Sequence, residues 1–506
     1  MKLKVRLLIF MMLILGVGFA CQLTSPRPAS WSGTPTAKAR ALTNTAIVLT
    51  QGPILDQNFV VTPTETPVAN VSTSTPQSTV TPDGPWLVYP APGGDGLHAY
   101  DIEAKNIITI NLPEPIYWED VQNGLSPDGR KLIVRAGSPT ETDELSLYKI
   151  DLMSEEVSKI TPLLSLLLQR KIVNQEGTRA FDVLEVVTRS DGIAWSPDSR
   201  YLAFSAALDN QSSDLYIFDV LNNRVSRMNG LPTHNATPTW GLDNNWLISQ
   251  ELGRTSSGET WRAENVTGVN VPQFDNQNSF YLPIAGSKEE VFVGWLNTQT
   301  FVSYSLTSDG PSTLRRVNVE NFDFSIIQQG SFDAVAIDPV SHTMAMILGN
   351  ESVKAQGKVE GVYLLRPEDI DFQLQRGGLW IDLKWDSGGM FIANGTQGLF
   401  AFSSDGLNMI LPGEKAADLS PGGNWMLTWG DGARLYQPPS VYPLQTLTED
   451  NVEAIFWQPD SKAFFLQSEG ALYYLAFPSL NFQQVEVGFP ESDPLFMAWI
   501  AEGVDE

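Results

Sequence analysis

A short turn-and-strand phrase recurs along this chain at intervals of a few tens of residues. Its clearest copies are Leu125–Gly129 (LSPDG), Trp195–Ser199 (WSPDS) and Trp457–Ser461 (WQPDS). The proline, with its preset φ, opens a tight turn, and the Asp and Ser side chains can cap that turn through hydrogen bonds to the backbone. Recurrence at this spacing indicates a repeat architecture built from one supersecondary unit.

The residues around each turn predict a unit of four short antiparallel strands. An apolar or aromatic residue precedes the turn, and a β-rich run such as Leu202–Phe204 follows it. An aromatic-aliphatic segment comes next, as in Leu215–Phe218, and a more polar strand such as Val225–Met228 closes the unit. Many such units with almost no helix-period segments predict an all-β β-propeller. A β-sandwich or a solenoid is the alternative.

The number of blades follows from the motif anchors, which fall at positions 125, 195, 240, 295, 337, 385, 419, 457 and 499. The unit around 287–330 is weak and is interpreted as an insertion or a shared segment. Propellers usually have four to eight blades. We therefore expect eight four-stranded blades, with seven as the alternative.

The two ends of the repeat region are both incomplete. Residues 497–500 supply only an opening strand before the chain ends, and residues 86–110 supply only the later strands. Joining them would complete one blade from both termini and remove a free sheet edge. The longest interval, between anchors 125 and 195, holds a surplus around residues 163–187. It predicts either a loop or short helix that covers one face of the ring, or an insertion on the rim.

The phrase Trp-Ser-Pro-Asp with a following Leu-Ala-Phe resembles the TolB-type, WD-repeat-like propeller family. The resemblance covers roughly residues 86–500 and is clearest at anchors 125, 195 and 457. It implies the fold and says almost nothing about activity. TolB-type proteins carry an α/β domain before the propeller, whereas this chain has a polar linker there, so no partner is carried over.

The amino-terminal segment predicts export and a lipid anchor. Residues 1–20 combine Lys2, Lys4 and Arg6 with an apolar run that is typical of a secretory signal. The run ends at Cys21, the single cysteine of the chain, in a sequence that resembles a bacterial lipobox. We expect lipidation of Cys21 and attachment to the membrane or surface of a bacterial cell. The alternatives are a plain signal peptide and an uncleaved anchor in which the cysteine occurs by chance.

Residues 21–85 predict a disordered tether between the anchor and a propeller at residues 86–506. Of the 64 residues after Cys21, 28 are Ser, Thr or Pro, which leaves few apolar clusters. As a flexible coil this segment would span roughly 45 Å.

Charge excludes one class of partner. Residues 86–506 carry 26 basic and 55 acidic residues. Nucleic-acid binding requires Lys and Arg to neutralise phosphates, so we expect no nucleic-acid partner. The acidic surface is explained most simply by solubility outside the cytoplasm.

Catalytic motifs are scarce. The three histidines, His98, His234 and His342, do not have zinc-ligand spacing, and no Gly-x-Ser-x-Gly elbow is present. The acidic loop Asp209–Asp214 could bind calcium, although its spacing is not that of an EF-hand. We therefore expect no metal and no cofactor, and an enzymatic role stays open but is not favoured.

Two functions remain. The first is a lipid-anchored extracytoplasmic propeller that acts as a non-catalytic binding scaffold for a protein or glycan at a loop face or in the central channel. The second is a carbohydrate-active hydrolase or lyase with carboxylates at the channel mouth. Two carboxylates about 5–10 Å apart in that position would favour the enzyme.

Overall fold

The computed structural model describes residues 86–500 with gaps at 92–95, 103, 141–142, 152–155, 210–211, 229–232, 256–260, 273–278, 282–288, 308–309, 322, 339–340, 350–351, 354–355, 368, 386–389, 404–407, 431 and 486–496. The predicted signal segment, Cys21 and the tether lie outside the described residues. Within the described part the chain forms a β-propeller.

Blades are numbered from the amino-terminal end. The first three contain β1 (Trp86–Pro90), β2 (Gly96–Asp101) and β3 (Asn106–Asn111) in blade 1; β4 (Leu132–Ala136), β5 (Ser146–Asp151) and β6 (Glu156–Pro162) in blade 2; β7 (Ile193–Trp195), β8 (Tyr201–Ala206), β9 (Asp214–Asp219) and β10 (Arg224–Arg227) in blade 3.

The next three contain β11 (His234–Trp240), β12 (Trp246–Arg254), β13 (Trp261–Asn270) and β14 (Ser279–Tyr281) in blade 4; β15 (Glu290–Asn297), β16 (Thr300–Thr307), β17 (Gly310–Asn318) and β18 (Phe324–Gln328) in blade 5; β19 (Ala334–Ile337), β20 (Met344–Leu348), β21 (Gly361–Leu365) and β22 (Gln373–Gly377) in blade 6.

The last strands are β23 (Trp380–Trp385), β24 (Met390–Gly395), β25 (Gly398–Ser403) and β26 (Asn408–Leu411) in blade 7; β27 (Ala416–Leu419), β28 (Met426–Gly430), β29 (Gly432–Tyr436) and β30 (Gln445–Thr448) in blade 8; β31 (Val452–Trp457), β32 (Ala463–Ser468), β33 (Ala471–Ala476) and β34 (Asn481–Val485) in blade 9; and β35 (Ala498–Ile500), which returns to blade 1.

The described residues thus form nine blades, eight with four strands and one with three. The prediction of eight blades, and the alternative of seven, were wrong. The error lies in the unit around 287–330, which is a complete sheet of β15 to β18. Its inner strand turns back between Asn297 and Thr300 in a short turn without a proline, so the Pro-containing phrase of blades 2, 3, 8 and 9 is missing there.

The termini share one blade. β35 pairs antiparallel with β1, with Trp86 opposite Ile500 and Val88 opposite Ala498. The sheet order in blade 1 is β3-β2-β1-β35, so the last strand of the chain occupies the inner position. This pairing is the one that the two incomplete repeats predict.

The core lies between the blades. On β8, Leu202 and Phe204 pack in a cluster with residues of blade 2, whereas Ala203 packs with residues of blade 4. Side chains alternate between the two faces of a strand. Because both faces of each blade are covered by a neighbour, middle strands such as β20 and β21 are apolar and buried along their whole length. Outer strands such as β10 are more polar, and their residues are exposed or half-buried.

Among the elements whose full bounds the structure describes, three are helices: α1 (Asp120–Asn123), α2 (Leu166–Val173) and α3 (Thr178–Val187). Helix α1 lies where the other blades have an inner strand, which explains why blade 2 has three strands. Helices α2 and α3 form the surplus at residues 163–187 that the repeat spacing indicates. We call this segment the helical insertion.

Candidate functional site

The recurring turns build one face of the ring. In the first copy the Ser126 hydroxyl accepts the Lys131 amide at 2.9 Å and donates to the Asp128 carboxylate at 2.5 Å. The same arrangement recurs at Ser196 and Asp198. The fourth position of each turn is left-handed, with φ of 71° at Gly129. This face, formed by residues 126–129, 196–199, 241–244, 420–423 and 458–461, is called the turn face below.

Hydrogen bonds connect successive turns. The Asp128 amide donates to the Ser199 hydroxyl at 2.9 Å, and the Gly422 amide donates to the Ser461 hydroxyl at 2.7 Å. Ser199 and Ser461 hold a left-handed φ of 59° and 63° although they are not glycines. The sequence therefore uses serine at the fourth position where the side chain bridges two blades.

The tryptophan before the turn has a similar bridging role. The Trp195 indole donates to the Gly124 carbonyl at 2.7 Å, and the Trp240 indole donates to the Ala194 carbonyl at 3.0 Å. Each bond connects an inner strand with the inner position of the preceding blade. The motif tryptophan at these positions is thus explained by blade-to-blade packing.

Blade 2 departs from this pattern because α1 replaces its inner strand. The Asp120 carboxylate accepts the Arg135 amide at 2.8 Å, its Nε at 2.8 Å and one terminal guanidinium nitrogen at 2.6 Å. Both side chains are buried. In a regular blade an inner-strand carbonyl would accept the Arg135 amide, so the Asp120 side chain substitutes for the missing strand.

The Arg135 guanidinium also connects this ion pair to the helical insertion. Its Nη1 donates to the Val187 carbonyl at the end of α3 at 2.7 Å. The neighbouring carboxylate raises the pKa of Arg135, which keeps the guanidinium charged despite its burial. The break in the inner strand is therefore a fixed element of the fold.

A pocket of about 300 Å³ opens where the broken blade meets the closure of the ring. Its walls come from the inner positions of blades 8, 9, 1 and 2, near the turn face. The lining residues are Gln122, Leu125, Asp418, Leu419, Pro421, Ile455, Phe456, Trp457, Pro459, Met497 and Ala498. Helix α1 contributes Gln122, so the departure of blade 2 from the repeat shapes one wall of the pocket. Because the inner strands of a propeller surround its central channel, we call this recess the channel-mouth pocket.

The residues that line the pocket are mostly apolar, with two polar side chains among them. Nine of the lining residues are aliphatic, aromatic, proline or methionine, and the others are Gln122 and Asp418. Asp418 accepts a hydrogen bond from Lys384 of blade 7 at 3.1 Å. The lining therefore holds one carboxylate, already paired, and lacks the two carboxylates that glycoside cleavage uses.

An aromatic stack fixes the wall at blade 9. Phe477 stacks on Trp425 at a centroid distance of 4.2 Å and on Trp457 at 6.4 Å, both nearly parallel. Offset stacking of this kind stabilises aromatic pairs beyond their buried area. Trp457 thus presents a pre-organised apolar surface to the pocket.

The histidines considered in the sequence lie far apart in the fold. His98 contacts the edge of Tyr89, His234 contacts Ser213 and Trp261, and His342 occupies a left-handed turn position. Across the described residues no group of three or more His, Cys, Asp or Glu side chains could hold a metal ion.

The acidic loop considered as a calcium site is organised around a cation of the protein itself. Asp209 and Asp214 both bind the Arg227 guanidinium, at 2.7 and 2.5 Å. Burial raises the pKa of the Asp214 carboxyl to about 8, against the opposing effect of Arg227. The arginine occupies the position that a calcium ion would need.

Sequence reasoning did not identify the pocket. Two of its residues, Leu419 and Trp457, are motif anchors, which serve in the sequence to count blades and not to locate a site. Helix α1 has only four residues, too short for helical periodicity to reveal, and its role depends on the distant partner Arg135.

Comparisons with known proteins identify the fold and leave the family open. No protein-family model and no curated protein matches the sequence. Among solved structures, the chain is similar to a eukaryotic initiation factor, with 12% identity, a TM-score of 0.53, and coverage of 83% of this chain and 100% of that one. The TolB-type resemblance stays a prediction.

Two further solved structures share the same low identity. A dipeptidyl peptidase 4 from Porphyromonas gingivalis matches at 12% identity and a TM-score of 0.48, over 76% of this chain and 64% of that one. An oligogalacturonate lyase in complex with manganese matches at 12% identity and a TM-score of 0.35, over 78% and 96%. At these levels of similarity the two structures transfer no activity to this chain.

Proposed function

We propose that this protein is a membrane-tethered, extracytoplasmic binding scaffold that recognises a protein or glycan at the channel-mouth pocket. The observation that carries the proposal is the pocket itself: an apolar recess on a rigid face, with a stacked tryptophan and one paired carboxylate. Ligand sites are typically concave and mostly apolar, with a few polar groups that orient the ligand.

The ligand chemistry follows from the lining. An aliphatic or aromatic side chain of a protein partner fits a recess of this size, and so does the apolar face of a sugar placed against Trp457. Gln122 offers an amide donor and acceptor at the edge. Because the propeller region has an excess of acidic residues, a neutral or basic partner approaches it more readily than an acidic one.

Tethering is the second part of the proposal. The apolar run before Cys21 and the polar tether after it support export and lipidation of the mature chain. Two acyl chains on Cys21 would hold the domain stably at a membrane, whereas one chain would not.

The test is affinity capture from detergent-solubilised membranes with the full chain as bait. Gln122→Trp narrows the pocket through an exposed side chain, so the core is unchanged. The matched control is Leu221→Trp, because Leu221 is also exposed and lies outside the pocket. We expect a discrete partner that is captured by the wild type and the control and lost with Gln122→Trp. Equal capture by all three would refute the assignment of the pocket.

A further inference from the structure

The helical insertion has an exposed apolar surface that nothing in the described part of the chain covers. Leu166 and Leu167 at the start of α2 are 70% and 48% exposed, and Phe181 on α3 is 42% exposed. The opposite side of α2 is anchored in the core through Leu168 and Ile172. The exposed leucines are therefore the outward side of a firmly packed helix.

Basic residues accompany these leucines. Arg170 and Lys171 lie one helical turn beyond Leu166 and Leu167, on the same side of α2. Within the described residues neither cation forms an ion pair, and α2 contains no acidic residue. Helix α2 thus carries two cations and no acidic residue in a propeller region whose acidic residues outnumber its basic ones about two to one.

The two acidic residues of α3 share a single cation. Asp182 and Glu185 both bind the Arg254 guanidinium, which lies at the end of β12. The cation also stacks on Trp261, 4.1 Å from the ring centroid. Helix α2 itself carries a net positive charge from Arg170 and Lys171, and Glu176 is the first acidic residue after it.

We infer that the helical insertion is a membrane-contact surface, with Leu166 and Leu167 inserted among the acyl chains and Arg170 and Lys171 on anionic headgroups. A helix with exposed leucines and basic flanking residues binds an anionic lipid surface through buried apolar area and charge attraction together. A second copy of the chain fits less well, because a symmetric contact would bring the basic residues of both copies together.

The topology gives this contact a direction. The insertion connects the outer strand β6 to the start of the inner strand β7, and β7 runs towards the turn face. The insertion therefore lies at the opposite end of the ring from the pocket. Docked on the bilayer through α2, the propeller would present its pocket away from the membrane.

The tether is long enough for this orientation. It reaches the propeller at Trp86, which pairs with Ile500 at the turn-face end of blade 1. A six-residue strand spans roughly 20 Å. A 64-residue tether of the flexible kind that the sequence predicts would span roughly 45 Å, more than the length of one strand, which is compatible with this orientation.

The experiment is hydrogen exchange on the full chain, with and without vesicles of phosphatidylglycerol and phosphatidylcholine. We expect peptides that cover residues 163–175 to exchange more slowly with these vesicles than with pure phosphatidylcholine. The double variant L166E/L167E should lose that protection completely, and R170Q/K171Q should lose the dependence on phosphatidylglycerol. The matched control L221E/L444E changes two other exposed leucines and should keep the protection.

Unchanged exchange of 163–175 in anionic vesicles would overturn the inference, and so would protection that appears only when a protein extract is added. The result is separable from the proposed function. L166E/L167E should capture the same partner through the pocket as the wild type, whereas Gln122→Trp should keep its vesicle protection.

Discussion

Replacing Asp120 with alanine leaves the Arg135 guanidinium buried without its carboxylate. The substitution removes the acceptor of three hydrogen bonds, one of them from the Arg135 backbone amide. The remaining partner of the guanidinium is the Val187 carbonyl. Because Arg135 is 1% exposed, water cannot replace the lost bonds without opening the interface between blade 2 and the helical insertion.

The expected magnitude is large for a single substitution. Removing one partner of a buried ion pair costs about 3–5 kcal/mol of the free energy of unfolding, because the other charge stays buried and unpaired. Replacing both partners with apolar residues of similar volume is often neutral. Asp120→Leu combined with Arg135→Met removes both charges but leaves the buried backbone amide of residue 135 without its acceptor. The double variant should therefore recover only part of the loss, with a coupling energy of about 1–3 kcal/mol.

The assay is urea denaturation of the single and double variants, followed by tryptophan fluorescence. Asp460→Ala is the control, because it removes an exposed partner of Lys462 and should cost about 0–1 kcal/mol. The reasoning is refuted if Asp120→Ala costs no more than this control, or if the effects of the two substitutions in the double variant simply add.

Three further predictions concern the turns, pH and the anchor. Ser199→Ala and Ser199→Gly both remove the hydrogen bond from the Asp128 amide. Ser199→Ala should lower the urea midpoint more than Ser199→Gly, because glycine fits the φ of 59° at this position. The opposite order would contradict the bridging role. The raised pKa of Asp214 means that the native state retains a proton which the unfolded state releases, so unfolding free energy should fall as pH rises from about 4 to 8. Asp214→Asn should flatten that slope, and an unchanged slope would contradict the assignment. Metabolic labelling with a palmitate analogue should mark the wild type and not Cys21→Ser; equal labelling would contradict lipidation at Cys21.

The sequence predicted the parts of the fold that repeat. Turn chemistry at Ser126 and Ser196 marked the blades, and the incomplete units at both ends predicted the pairing of β1 with β35. Blade 5 was not counted as a separate blade in the prediction of eight. Its inner strand is connected to the next strand by a tight, proline-free turn between Asn297 and Thr300, which replaces the longer turn motif.

The candidate site depends on what does not repeat. The pocket exists where α1 interrupts an inner strand, and α1 is held by contacts between residues 15 positions apart in sequence. No local propensity marks those contacts. Trp457 illustrates the same limit: sequence identifies it as a motif tryptophan, but only the fold places it in the wall of a pocket beside Gln122.

Site-specific photocrosslinking from position 122 tests the central claim most directly. A photoreactive residue in place of Gln122, in cells that express the full chain, should give a discrete crosslinked adduct with the partner, and the same residue in place of Leu221 should not. An absence of adducts from position 122, or identical adducts from both positions, would contradict recognition at the channel-mouth pocket.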